Sequence, residues 1–235
     1  MKNYSIGIDL GGTKILAAVI NTKTGEVVDE VKNKTKKLRG NNNILNITKE
    51  TIEELLDKTS VKKEEISSIG LGLAGQVDRK RGVLINGVNL EVKNLDFKTP
   101  LEKKFNLPVF TGNDVEVATL GELKFGAGKG YKDIVCIFIG TGIGSGLVKD
   151  GKIHLGSSET AGEIGHIIVD LNGRSCTCGA NGCLEAYASR TAIESRILGA
   201  IKKGRTSIIT DLAKQGSISS KHIKKALDAH DEVVT

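Results

Sequence analysis

The chain has 235 residues, 39% hydrophobic and 26% charged, enough apolar material for one large packed domain or two small ones. Aromatic residues make up only 3%, with no tryptophan, which argues against a nucleic-acid surface built on base stacking. The net charge of +6, from 34 basic and 28 acidic residues, comes mostly from scattered lysines; it fits a solvated surface or a phosphate-binding cleft and lacks the basic block of a nucleic-acid binder.

Met1-Lys2-Asn3-Tyr4-Ser5-Ile6 runs straight into a strand-like segment, with no signal peptide. No apolar run approaches the roughly 18 residues needed to cross a bilayer. A cytoplasmic protein with no membrane or nucleic-acid partner is expected. Four cysteines in such a chain point to metal or free thiols instead of disulfides.

Tyr4 to Leu10 and Ile15 to Ile20 read as strands around the tight turn Gly11-Gly12-Thr13-Lys14, and Val27 to Val31 as a third strand. Asn41 to Asn43 can cap a helix with Ile44, Leu45, Ile52, Leu55 and Leu56 at helical spacing. Ile66 to Leu73 is the next strand, ending in Ala74-Gly75. A short helix is expected over Pro100 to Phe105, a strand over Val109 to Thr111, and a helix from Asp114 to Phe125. The opening pattern then recurs: the apolar strand Ile134 to Ile139, the glycine turn Gly140-Thr141-Gly142, and a return strand through Leu147-Val148. This internal repeat predicts an α/β protein of two similar domains with mixed sheets, over residues 1–112 and 113–235. The second domain is expected to be incomplete: helical segments follow near Leu184 to Gly199, Thr206 to Lys214 and Ser219 to Ala229, and no strands match the remainder of the first domain.

Cys176, Cys178 and Cys183 sit close together, with His166 just upstream. Cys3His is a standard tetrahedral zinc set, and four protein ligands make a closed structural site. Pairing Cys176 with Cys178 across one residue would strain a disulfide; unrelated free thiols are the other alternative. Cys136, inside an apolar strand, reads as a small buried hydrophobe.

Asp9 precedes the turn Gly11-Gly12-Thr13-Lys14 at a strand end. Backbone N–H groups beside the glycines, with Thr13 and Lys14, can meet phosphate oxygens, and Asp9 can hold Mg²⁺ directly or through water. A plain hairpin is the alternative. The matched turn Gly140-Thr141-Gly142 strengthens the phosphate reading. Gly126 to Gly130 lacks the spacing of a Walker loop, and Gly140 to Gly146 does not open a helix as a dinucleotide fingerprint does. Asn113-Asp114, where a strand yields to a helix, is either a helix cap or a general base. Glu163, His166 and Glu185 bracket the cysteine loop and can accept hydrogen bonds from several hydroxyls, as a sugar requires; a surface salt bridge is the alternative for Glu185.

Together Asp9 to Lys14, Gly70 to Asp78, Asn113-Asp114, Gly140 to Gly146, Ala161 to His166 and Cys176 to Glu185 resemble the ROK family of bacterial sugar kinases. The resemblance implies an actin-like ATPase (ribonuclease H-like) fold and phosphorylation of a hexose by ATP, with glucose at the 6-hydroxyl as first choice. Fructose, mannose and N-acetylated hexosamines are rival substrates. It implies Asp114 as base, and Gly75, Asn89, Asn113, Glu163, His166 and Glu185 around the sugar. Asp9, Gly11, Gly12, Thr13, Lys14, Gly140, Thr141 and Gly142 would meet Mg·ATP, and His166, Cys176, Cys178 and Cys183 would hold zinc. A homodimer or higher homo-oligomer is implied for a full-length chain. Ala74 stands where family members often have proline. The family's late Gly-Gly segment beside the adenosine has no counterpart, so the expectation is a C-terminally truncated member that binds ATP weakly. Two other readings are a non-catalytic sugar-binding remnant and a sugar-responsive repressor; the second is not expected, because a DNA-binding module would stand ahead of the first turn, which here begins at residue 9.

Overall fold

The computed structural model describes residues 2–35, 38–157, 159–212 and 218–235. The first sheet is built around β1 (Tyr4–Leu10), whose alternate residues Ile6, Ile8 and Leu10 point into the core at 0%, 4% and 0% exposure. β1 pairs antiparallel with β2 (Lys14–Asn21), which pairs with β3 (Val27–Lys34). On its other side β1 runs parallel to β4 (Ile66–Leu73), which runs parallel to β8 (Val109–Asn113). The order is therefore β3-β2-β1-β4-β8. Helix α1 (Asn41–Lys58) buries Ile44, Ile52 and Leu55 in the same core.

That helix starts differently from the sequence expectation. Gly40 occupies the cap at φ 80, without a side-chain cap bond. The side chain of Asn41 instead pairs with the backbone of Lys93, donating to its carbonyl at 2.9 Å. Gly40 is the residue type that takes a left-handed backbone cheaply.

Between β4 and β8 lies a meander that periodicity does not reveal: β5 (Gln76–Asp78), β6 (Val83–Gly87) and β7 (Val92–Asp96), followed by α2 (Lys98–Phe105). α3 (Asp114–Phe125) follows β8 directly. β9 (Ile134–Ile139), β10 (Ile143–Lys149) and β11 (Lys152–Ile153) form a sheet of order β11-β10-β9, repeating β3-β2-β1. The expectation that no strand matches the rest of the first domain is corrected by β11, which is only two residues long and leaves no hydrophobic pattern. Only one face of β9 is covered: Val135, Ile137 and Ile139 are 54–65% exposed, and Cys136 is partly exposed instead of buried.

The chain forms two compact units: residues 1–134 with 146–154, and residues 135–145 with 155–235. They do not divide at residue 112. α3 stays in the first unit because its first turn grows out of β8 and packs on β4.

In the second unit, the helical segment expected from Leu184 to Gly199 is broken at Ser189 into α4 (Glu185–Ala188) and α5 (Arg190–Lys202). The Ser189 hydroxyl accepts from Ala192 N–H at 3.1 Å and so starts α5 as a cap. α6 spans Ile209–Leu212; the expected end of this segment at Lys214 lies outside the described residues. α7 (Ser220–Asp228) is capped by Ser219. Ile197, Ile209, Ile218 and Ala226 form a small second core.

Asp231 anchors this core. Its carboxylate accepts from Ile208 N–H at 2.8 Å, Val233 N–H at 3.0 Å and the Ser207 hydroxyl at 3.1 Å. Burial of the carboxyl works to raise its pKa, but these donors prevail and hold it below the usual value. A depressed carboxylate contributes stability that is present above its unfolded pKa and lost as pH falls through the folded one. Asp231→Asn should therefore cost about 2 kcal/mol near neutral pH, with the deficit shrinking in acid. Thermal melts at pH 7 and below pH 4 check this; equal losses at both would refute it.

Candidate active site and metal centre

In the first unit, the carboxyl ends of three parallel strands lie in register: Leu10 beside Leu73, and Leu73 beside Asn113. Ligands in such sheets bind beyond these ends. One residue earlier, Asp9 lies beside Gly72, and a Cβ at Gly72 would stand 3.5 Å from the Asp114 Cα. Glycine at this position lets the backbone carrying Asp114 come close to the strand that neighbours Asp9.

Asn113 performs the capping role. Its side-chain oxygen accepts from Val115 N–H at 3.0 Å and Glu116 N–H at 3.4 Å, while its amide donates to the Gly75 carbonyl at 3.1 Å. One amide N–H remains for a ligand. Gly75 has φ 148, and a Cβ there would collide with the Asn86 carbonyl, so the corner after β4 requires glycine.

Asp114 is half-buried. Burial pushes its carboxyl above the ordinary value, the neighbouring charges of Asp9 and Glu116 push the same way, and the N–H of Val115 opposes them. Desolvation combined with like charge shifts a carboxyl in the direction that general-base work requires.

The first glycine turn is closed by Gly11 N–H to Lys14 carbonyl at 3.0 Å. Buried Thr35 braces it, donating its hydroxyl to the Gly11 carbonyl at 2.8 Å. Nothing local in the sequence marks Thr35 for this. Thr13 and Lys14 are exposed, with their side chains available. Asn89 lies over Gly12: a Cβ at Gly12 would meet the Asn89 Cβ at 2.8 Å and its carbonyl oxygen at 3.1 Å. The first turn and the predicted sugar-bordering residue are thus neighbours.

In the second unit, His166, Cys176, Cys178 and Cys183 bring one ligand atom each within 4.8 Å of one another. The Cys178 and Cys183 sulfurs are 3.7 Å apart, as are Cys176 Sγ and His166 Nδ1. Zinc–sulfur bonds of about 2.3 Å and a zinc–nitrogen bond of about 2.1 Å, arranged tetrahedrally, give edges of about 3.6–3.8 Å. The donor set therefore fits zinc in chemistry and in spacing. The loop is shaped for it: Gly179 and Gly182 have φ 92 and 80, and a Cβ at Gly182 would strike the Asp170 carbonyl. Within the cluster the Cys178 N–H draws the Cys176 thiol down to about 7, whereas burial pushes Cys183 up to about 12.

With Nδ1 turned to the sulfurs, His166 Nε2 faces outward, 3.9 Å from a Glu163 oxygen. Glu185 does something the sequence reading did not foresee. Its Oε2 accepts from Ile143 N–H at 2.8 Å, next to Gly142, and its Oε1 accepts from the Thr177 hydroxyl at 3.3 Å. Glu185 thereby ties the cysteine loop to the second glycine turn. Arg190 N–H to the Gly140 carbonyl at 3.0 Å, and the Thr191 hydroxyl to the Thr141 carbonyl at 2.8 Å, hold the same turn from α5.

A profile of the ROK family matches residues 5–230. A glucokinase of Halalkalibacterium halodurans is 36% identical over 231 residues, 97% of this chain and 69% of that protein. A solved ROK family glucokinase from Streptomyces griseus, in complex with glucose and AMPPNP, superposes with a TM-score of 0.80 at 31% identity, covering 98% of this chain and 73% of that one. A ROK family transcriptional regulator, a homolog of the E. coli MLC protein, superposes with a TM-score of 0.84 at 29% identity; it is matched by 98% of this chain, which spans 57% of its length.

Proposed function

The chain belongs to the ROK family and has its actin-like ATPase fold, and on that premise we propose that it is an ATP-dependent sugar kinase acting on a hexose, with glucose at the 6-hydroxyl as the leading substrate. The observation that carries the reading is the half-buried Asp114 carboxyl at the parallel strand ends, beside Asp9 and near the first glycine turn. Phosphoryl transfer asks little covalent chemistry of a protein; it asks for positioning, charge neutralisation and a base.

In this reading Asp114 accepts the proton of the sugar hydroxyl as its oxygen attacks the γ-phosphorus and ADP leaves. Gly75, Asn89 and the free amide N–H of Asn113 border the sugar. Glu163 and the outward Nε2 of His166 offer further polar partners, and Glu185 adds only the lone pairs that Ile143 and Thr177 leave open. Backbone N–H groups near Gly11, Gly12 and Gly140 to Gly142, with Thr13 and Lys14, meet the phosphates. Mg²⁺ held through Asp9 would offset the phosphate charge. Zinc on His166, Cys176, Cys178 and Cys183 would fix the loop that aims His166 and Glu185.

A phosphorylation assay with Mg·ATP and a panel of glucose, fructose, mannose and N-acetylated hexosamines tests the proposal. Glucose should give the highest kcat/KM. Sugar binding without any phosphorylated product would favour instead a sugar-binding, non-catalytic protein, a reading supported by the likeness to a transcriptional regulator.

A further inference from the structure

The first turn of α3 carries two carboxylates, Asp114 and Glu116. Two like charges on one turn oppose each other's ionisation, and a second anion near a base would also repel an incoming phosphate. Glu116 is not left alone. Arg79, in the loop after β5, places Nη2 at 2.5 Å from both oxygens of Glu116. The pair is largely removed from water, with side chains 24% and 14% exposed, so solvent screens it only partly.

The same turn is pinned a second time, by the Asn113 amide to the Gly75 carbonyl. Both ends of the short segment Gly75 to Arg79 are thus fastened to the start of α3. Among the described residues, the charged groups that bear on Asp114 are Asp9 from β1 and Glu116 from its own helix; the β4 residue alongside it is Gly72, which carries no charge.

We propose that Arg79 is a positioning residue for Asp114: by clamping Glu116 and offsetting part of its charge, it weakens the repulsion between the two carboxylates of that turn and fixes the turn against the β4–β5 corner. The catalytic meaning of this rests on Asp114 being the base, but the electrostatic effect does not.

The test reads the titration of Asp114 itself, through its carboxyl carbon resonance in the folded protein, identified by its absence in Asp114→Asn. Arg79→Gln should raise the midpoint by about half to one pH unit. Glu116→Gln should lower it. The double variant R79Q/E116Q should return it to near the original value, and Arg79→Lys, which restores the charge, should leave it almost unmoved. A residue that only props up the fold would change the melting temperature and leave these midpoints alone. An unchanged midpoint in folded Arg79→Gln overturns the proposal. Should that variant fail to fold, an unchanged midpoint in Glu116→Gln overturns it equally. If Asp114→Asn keeps its turnover, the base assignment falls, whichever way the titrations run.

Discussion

Asp114→Asn is expected to cut sugar phosphorylation by about 10²–10⁴-fold while making the protein more stable. The two effects share one cause. Burial, Asp9 and Glu116 all favour the protonated form of this carboxyl. A group whose folded pKa lies above its unfolded value contributes stability at low pH and loses that contribution as pH rises through the folded pKa. Above its folded pKa the ionised Asp114 is therefore a burden on the fold, one that the proposed role as base would account for. Asparagine keeps the shape, and its oxygen can still accept the Val115 N–H that Asp114 now accepts at 3.0 Å. It cannot take a proton from a hydroxyl. The unsubstituted protein should show an acid limb in kcat/KM at a pH above the ordinary carboxylate range of about 4, because the base is lost by protonation as pH falls. A variant with turnover within tenfold of the original, or with a lower melting temperature at neutral pH, would refute this account.

How much of this could be read from the residues depends on how local each signal is. The glycine turns, the cysteine spacing and the strand-to-helix junction at Asn113-Asp114 announce themselves within a few positions; the fold places the turns and the junction at element ends and the cysteines in the loop that leads into α4. The repeat was legible in its hairpin, since β10-β9 copies β2-β1, but its third strand β11 was not. What escaped depends on long-range pairing. Arg79 meets Glu116 across 37 positions, Glu185 meets Ile143 across 42, and Asp231 meets Ile208 across 23. No periodicity encodes such pairs. The meander β5–β7 escaped because its strands are three to five residues long, too short for alternation to stand out. The tie at Glu185 alters the site reading most: a residue singled out for sugar hydroxyls already spends hydrogen-bonding capacity on the second glycine turn.

That tie determines what loss of the metal should do. The protein is expected to hold one zinc per chain, and a chelator, or Cys183→Ser at a fully buried ligand, should remove it. A structural zinc site contributes on the order of 10 kcal/mol to the order of its own loop, so its loss should release residues 166–185 from their fixed arrangement. The consequence should not stop at the loop. Glu185 follows Cys183 by two positions and holds the Ile143 N–H, so the turn Gly140 to Gly142 loses a support when the loop loosens. Amide exchange should therefore speed up at Gly182 and Leu184, whose N–H groups bond within the loop region, and also at Ile143. Sugar affinity should fall as well, since His166 Nε2 is aimed only while Nδ1 is engaged. Glu185→Gln separates the two effects: it should keep its zinc and its loop protection, yet lose protection at Ile143, because a neutral amide oxygen accepts that N–H more weakly than a carboxylate does. Unchanged exchange at Ile143 in the chelated protein would mean that the cysteine loop and the second turn are held independently.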